Sequence, residues 1–357
     1  MNIFKNVSNY IIGNNSLKNL KLIFDQLNIT SKDCIFFIDI YHKNKPLFKK
    51  ISFANLKNTY FISTLNEPTD TDIDQLLKKI KIKSNKPKVI IGIGGGSTLD
   101  TAKAVSVMLN NFGKTSKYQG WNLPSKKGIY KIGIPTISGT GAESSRTCVL
   151  VNNVSKMKLG INSNYSVYDT VVLDPSLIKT VAKKQYFYTA MDTFFHSFES
   201  LKGNHRNQIS DAYSEQAITL IDEIFSNTNF KSFHNREKLM VASYLGGLAI
   251  AGSYVGVLHP ISAGISTILK TPHCYTNCIV MKKMKDFYPN ELKIYNKYLK
   301  INKMIIPDID FSIYDDDILN QIYLASVVHS KPLVNALGKD YKKILTFKYF
   351  KNLLKNY

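Results

Sequence analysis

The chain has 357 residues, 44% of them hydrophobic, which suffices for sizeable cores and by length for two domains; a small peptide-like scaffold is excluded. The formal charge is +21, but only Arg146, Arg206 and Arg236 are arginines and the lysines are scattered, so a solvated surface that attracts anionic substrates is expected rather than a nucleic-acid stripe. Four dispersed cysteines make no disulfide framework, residues 1–9 do not read as a secretory signal, and no apolar run approaches the roughly 20 residues that span a bilayer, so a cytoplasmic protein is expected.

In chain order, β-rich runs fall at residues 34–40, 59–65, 88–93, 130–135 and 171–173. Residues 72–80 show helical periodicity behind a Pro-Thr-Asp start, and residues 98–109 read as a helix after the third run. This alternation predicts an α/β layer structure. After Asp174-Pro175 the texture changes to longer helical segments at 183–200, 208–224 and 236–250, and on through the C-terminus. The expectation is an α/β domain over residues 1–180 and an all-helical domain over residues 181–357.

The apolar run 89–93 continues into Gly94-Gly95-Gly96-Ser97 and then into the helical stretch 98–104. Glycines let a backbone approach a pyrophosphate, and the amides that open a helix supply donors and a favourable dipole. The spacing departs from the ordinary G-x-G-x-x-G fingerprint, and a tight turn without a ligand is the plain alternative. Asp39 closes the apolar run 34–38, where a carboxylate suits ribose hydroxyls and repels a 2′-phosphate; a solvated strand-end Asp is equally simple. A second segment, Pro135-Thr136-Ile137-Ser138-Gly139-Thr140-Gly141-Ala142-Glu143, follows another apolar run and offers three hydroxyls for ribose and nicotinamide contacts.

Asp192 and His196 lie four apart in a helical pattern and so share a face. Polar groups on a hydrophobic helix need partners, and a divalent cation satisfies both. His259 and His273 sit far along the chain in apolar surroundings. Three His and one Asp fit iron(II) or zinc better than magnesium or calcium; hydrogen-bonded core histidines are the plain alternative. Cys274 and Cys278 stand beside His273 and could add zinc ligands, but Cys278 lies in an apolar run where a buried thiol is the better reading.

Together, Gly94-Gly95-Gly96-Ser97-x-x-Asp100-x-x-Lys103, Pro135-Thr136-x-x-Gly139-Thr140-Gly141-x-Glu143, Met191-Asp192-x-x-x-His196 and the spaced His259 and His273 resemble the iron-containing alcohol dehydrogenases. The resemblance implies a Rossmann-like dinucleotide-binding domain followed by a helical domain, the fold shared with dehydroquinate synthase, with the reaction in the cleft between them. It implies Asp192, His196, His259 and His273 as ligands of an iron or zinc ion through which catalysis runs. It further implies that Asp39, Asn66, Gly94, Gly95, Gly96, Ser97, Asp100, Thr136, Ser138, Thr140, Thr147, Lys158 and Leu177 line an NAD(H) site, with NAD favoured over NADP.

Within that family the stretches 118–121, 129–143, 145–147 and 158–163 are most similar to the 3-deoxy-manno-octulosonate (Kdo) 8-oxidases, which prepare the 8-amino form of that lipopolysaccharide sugar. This likeness implies oxidation of a primary alcohol to an aldehyde, an aminotransferase downstream and, as is frequent in the family, a homodimer. For a sugar acid, Arg146 is the candidate substrate residue, since a guanidinium fork suits a carboxylate; a plain ion pair is its alternative. Ala263 stands where many members carry a His assigned to proton relay, so the proton must leave through water, the cofactor ribose or another group. The chain after His273 is short for the family, so trimmed C-terminal helices are expected. Another alcohol or aldehyde, a non-redox reaction like that of dehydroquinate synthase, and a basic nucleic-acid-binding protein are the competing readings.

Overall fold

Successive side chains of a strand point to opposite faces, so a strand that is apolar at every position must be covered on both. In the computed structural model, which describes residues 4–51, 56–82 and 86–355, β2 (Cys34–Asp39) is such a strand. It lies in an all-parallel sheet with β1 (Asn9–Ile12), β3 (Thr59–Ile62), β4 (Val89–Gly94), β6 (Tyr130–Pro135) and β9 (Thr170–Leu173), ordered β1-β9-β6-β4-β2-β3. On one face Phe36, Ile38, Ile91, Ile93, Ile132 and Ile134 pack against α1 (Leu20–Gln26). On the other, Ile35, Phe37 and Ile90 pack against α3 (Asp70–Ile82) and α4 (Gly96–Met108). Each such fully buried side chain contributes about 1.5–3 kcal/mol.

A small second sheet joins β5 (Gly120–Trp121), β8 (Lys158–Asn162) and β7 (Thr147–Val151) in that order. The sequence reading gave no strand at β1, β5, β7 or β8. These are short, and β1 and β7 expose or half-expose much of their surface, so no apolar run marks them. The run expected to extend to residue 65 ends at Ile62, where the strand loses its partner in β2.

Gly92 and Gly133 are paired directly across β4 and β6, and Tyr168 lies over both. A Cβ on Gly92 would stand 2.7 Å from the Tyr168 hydroxyl and 2.9 Å from Cβ of Ala102. That hydroxyl donates to the Leu99 carbonyl at 2.8 Å. The two glycines therefore let Tyr168 and α4 sit close on the sheet.

The chain forms two compact units, Met1–Thr180 and Val181–Tyr357, and the second is helical. Its centre is α5 (Lys183–Lys202), buried without interruption from Tyr186 to Ser200, as a helix surrounded by others must be. It packs against α6 (Gln208–Phe225), α7 (Phe233–Ser253) and α9 (His273–Lys282). Between α7 and α8 (Leu258–Leu269) the chain turns through 103°. The turn falls at Tyr254, whose φ of 69° and ψ of 168° non-glycine residues rarely adopt. Its ring is held between His205 and the Lys331 ammonium, and the Asn335 amide donates to the flanking carbonyls of Ser253 and Val255. Further helices, from α10 (Pro289–Ile301) and α11 (Asp316–Val327) to α14 (Phe347–Lys355), complete the unit. Among the described residues no single helix is long and apolar enough to cross a membrane.

Replacing Gly92 by Ala should lower stability by about 1–3 kcal/mol, because neither Tyr168 nor α4 has room to retreat. A shift of the denaturant midpoint at unchanged slope is the expected result.

Candidate metal centre and dinucleotide cradle

In the first unit the connection leaving β2 runs to β3 at one side, while the connection leaving β4 runs to β6 at the other. Such a reversal opens a crevice beyond the carboxyl ends of the two central strands, the place where open α/β sheets take ligands. Asp39 ends β2 and Gly94 ends β4 at this crevice. Gly95 caps α4 without a side chain, so the amides of its first turn are offered by bare backbone.

The loop after β6 lies against this turn. The Thr136 amide donates to the Gly94 carbonyl at 3.0 Å, and a Cβ on Gly96 would lie 3.4 Å from the Thr140 hydroxyl. Two buried hydroxyls, Thr98 Oγ1 and Ser138 Oγ, have no hydrogen-bond partner among the described residues. A dinucleotide would supply that partner, and the bare turn admits its phosphates, so these residues fit the cofactor. The Asp39 carboxylate accepts the Tyr41 amide at 3.0 Å. Beside it Tyr41, His42, Lys45, Ser176 and Leu177 line a cavity of about 470 Å³, and His42 Nε2 lies 3.1 Å from the Thr136 hydroxyl.

Not every residue expected in this site shares the crevice contacts. Asn66 is exposed in a bend, and Lys158 pairs with Glu67 at 2.9 Å. The Thr147 hydroxyl donates to Asn162 at 2.6 Å. Asp100 accepts the Val149 amide at 3.0 Å, and burial pushes its carboxyl up to about 6. Lys103, fully buried, donates to the carbonyls of Ser145 and Thr147 and so ties α4 to β7. Ser97 opens α4 beside Gly96. Arg146 is buried, with its guanidinium on Asn122 and over the Phe4 ring. It is thus packed into the unit and is not a solvent-facing fork. Lys103 and the fully buried Lys131, which pairs with Asp169 at 3.3 Å, are not part of the solvated lysine surface.

In the second unit α5 places Asp192 and His196 on one face, and the turn at Tyr254 brings His259 to the first turn of α8. Donor atoms of Asp192, His196 and His259 all lie within 4.8 Å of one another. The rings of His196 and His259 stack at 4.4 Å, and His259 Nε2 stands 3.3 Å from Asp192 Oδ1. His273, the first residue of α9, is more exposed and places its Nε2 3.9 Å from the same oxygen.

Three residues that the sequence reading left out complete the surroundings. Glu199 Oε2 meets His259 Nδ1 at 2.5 Å, and its other oxygen accepts the Leu258 amide at 2.6 Å and the Tyr288 hydroxyl at 3.0 Å. The Asn277 amide donates to Asp192 Oδ1 at 2.6 Å. Glu199 could have been read from its spacing, since Asp192, His196 and Glu199 recur at four and three residues on one helical face, and Asn277 stands four after His273. Tyr288 carries no such signal. Cys274 also approaches, with Sγ 3.5 Å from Asp192 Oδ2, whereas burial pushes the Cys278 thiol far from ionisation.

The electrostatics favour a cation. Burial would raise the Asp192 carboxyl, yet the imidazoles around it hold it well below the usual range, so it is ionised. Burial drives His196 down to about 3, leaving a neutral ring with a free lone pair. Burial also works against charge on His259, but Glu199 and Asp192 outweigh it and hold this ring at about 9. One carboxylate and imidazole nitrogens around one point suit iron(II) or zinc, with the metal taking the place of the His259 proton, so the residues present fit a metal. Glu199 then does what an outer carboxylate does for a metal-binding His, fixing its tautomer and aim.

Glu199→Gln should weaken metal retention about 10–100-fold in a chelator competition, with helical content unchanged. Retention equal to that of the natural protein would remove the orienting role.

Comparison with known proteins follows the same division. The pattern of the iron-containing alcohol dehydrogenases matches residues 8–175, and the pattern of that family's C-terminal region matches residues 186–316. Over 231 residues the chain is 33% identical to sulfoacetaldehyde reductase of Bilophila wadsworthia, covering 64% of this chain and 59% of that protein. Over 240 residues it is 27% identical to the NAD-dependent methanol dehydrogenase of Bacillus methanolicus, covering 67% and 62% respectively. The matched stretch thus spans about three fifths of these relatives' length. Among solved structures, 1,3-propanediol oxidoreductase superposes with a TM-score of 0.80 at 18% identity, covering 98% of this chain and 100% of that one. Sulfoacetaldehyde reductase from Bifidobacterium kashiwanohense, solved in complex with NAD+, gives 0.77 at 18%, covering 96% and 98%.

Proposed function

The chain belongs to the iron-containing alcohol dehydrogenase family, and from that premise we propose that it is a metal- and NAD(H)-dependent oxidoreductase converting a primary alcohol to an aldehyde, with C8 of 3-deoxy-manno-octulosonate as the alcohol. The observation that carries the class is the buried cluster of Asp192, His196 and His259, with His273 beside it. The substrate rests on the stretches 118–121, 129–143, 145–147 and 158–163, and the charge of +21 favours an anion. Sulfoacetaldehyde, named for a relative, is itself an anionic aldehyde.

When bound, the metal lowers the pKa of a ligated alcohol, and the nicotinamide takes up the hydride. The rest is the work of the chain. Ionised Asp192 and neutral His196 present lone pairs to the metal, and Glu199 aims His259 by holding its other nitrogen. His273, less buried, gives the fourth ligand. The bare turn at Gly94, Gly95 and Gly96 takes the pyrophosphate, with the Thr98 and Ser138 hydroxyls as further contacts. Asp39 holds the adenosine ribose and repels a 2′-phosphate, hence NAD rather than NADP. Ala263 has no proton to move, so the hydroxyl proton leaves through water, the cofactor ribose or another group. The aldehyde formed is what an aminotransferase consumes.

The test is incubation of protein loaded with iron(II) or zinc with Kdo and NAD, with and without oxygen, trapping the aldehyde and following NADH. Aldehyde and NADH in equal amounts without oxygen is the expected result. Aldehyde formed only in air and without NADH would assign oxygen as the acceptor, and no aldehyde in either condition would remove this substrate while leaving the class.

Arg146 is the only arginine before residue 180 and is the proposed reader of the substrate carboxylate, for which its buried guanidinium would have to exchange the Asn122 oxygen for the substrate. Arg146→Ala should raise KM for the sugar acid about tenfold or more and leave a neutral alcohol unchanged, a loss of one charge-assisted bond. Equal loss toward both substrates with a lower melting temperature would mark it as a packing residue only.

A further inference from the structure

The strand order puts β4 between β2 and β6, with adjacent strands about 4.8 Å apart, so a contact from the end of β2 to the end of β6 must pass over the end of β4. His42 makes such a contact. Beyond β2 the chain folds into the short turn Ile40–His42, capped by Asp39 through the Tyr41 amide at 3.0 Å. The buried imidazole reaches Thr136, the first residue after β6, with Nε2 3.1 Å from its hydroxyl oxygen. The Thr136 amide meanwhile donates to the Gly94 carbonyl at 3.0 Å. One turn thus presents two side chains at the crevice, the Asp39 carboxylate and a ring that ties the loops after β2 and β6 together over the glycine turn.

The direction of the proton in that bond decides what Thr136 offers a ligand. Burial holds His42 below the usual imidazole range despite the Asp39 carboxylate, so the ring is neutral and has one N–H to give. A bare Nε2 takes the hydroxyl proton and leaves Thr136 with lone pairs only. A protonated Nε2 donates, and the hydroxyl keeps its own proton to donate onward. The oxygens of a pyrophosphate are acceptors, so such a ligand selects the second arrangement. Thr98 and Ser138, whose hydroxyls have no partner among the described residues, lack this device.

We propose that His42 is a cofactor-positioning residue: by donating from Nε2 to Thr136 Oγ1, it aims the Thr136 hydroxyl proton at an oxygen of the dinucleotide pyrophosphate. This rests on the dinucleotide reading given above. It makes cofactor affinity depend on a pair of residues, neither of which suffices alone.

The test is calorimetric titration of the full chain with NAD. His42→Phe, which keeps a flat ring but no N–H, should weaken binding about tenfold, and Thr136→Val by a similar factor, the loss of one hydrogen bond to a charged group. The double variant should be no weaker than either single one, because the two groups act as a unit. His42→Gln, whose amide restores an N–H at similar reach, should bind within about threefold of the natural protein. Binding by His42→Gln no better than by His42→Phe would mark the ring as packing only and overturn the proposal. So would losses that multiply in the double variant, or a His42→Phe affinity equal to that of the natural protein. Should His42→Phe fail to fold, Thr136→Val decides alone, since undiminished binding by that variant overturns the role of the pair. A natural protein that does not bind NAD would remove the dinucleotide reading itself, and this role with it.

Discussion

A carboxylate with no exposed surface lies in the middle of α5, and the architecture of the helical unit follows from what Asp192 requires. Burying an unpaired charge costs several kcal/mol, so neighbours must supply positive charge or hydrogen-bond donors. They come from three directions: His196 from the same helix, His259 from α8, and His273 and Asn277 from α9. The strained backbone at Tyr254 belongs to this arrangement, because the turn there is what brings the start of α8 to α5. Strain of about 1–3 kcal/mol persists only where the surroundings over-determine it, and the Asn335 amide with the His205 and Lys331 contacts does so.

The α/β unit obeys a different constraint. Its sheet is covered on both faces by apolar side chains, which leaves the carboxyl ends of the strands as the region where polar groups can meet a ligand. Asp39, the glycine turn and the hydroxyls of the loop after β6 all fall at those ends. The same close packing keeps the thiols of Cys34 and Cys148 protonated: burial pushes each up to about 12, far from the range in which a thiolate forms.

Charge has two uses in this chain. Most lysines are on the surface, but Lys103 and Lys131 are fully buried and satisfied by carbonyls and a carboxylate. Lys103 is part of the motif that carries the family resemblance, and its contacts show a structural reason for its place there. It fixes the helix that opens with the glycine turn to the strand that begins at Thr147. Position and charge at the cofactor end of the sheet are thus linked through one ammonium group.

The sequence by itself determined the order of layers, because uninterrupted apolar runs and long helical periods are local properties of the chain. The α/β half, the helical half and the glycine turn at the end of β4 were all legible in this way, and so was the pairing of Asp192 with His196 on one helical face. Strands β1, β5, β7 and β8 were not, since short or half-exposed strands are stabilised by partners distant in sequence. For the same reason only the tertiary structure decided what surrounds Asp192. His259 and His273 are separated from it by more than one helix, and nothing local says that they meet. Glu199 and Asn277 have readable spacings, but their roles depend on which imidazole and which carboxylate they face. Burial, likewise a property of the folded chain, then keeps the His196 ring neutral, while the imidazoles around Asp192 keep its carboxylate charged.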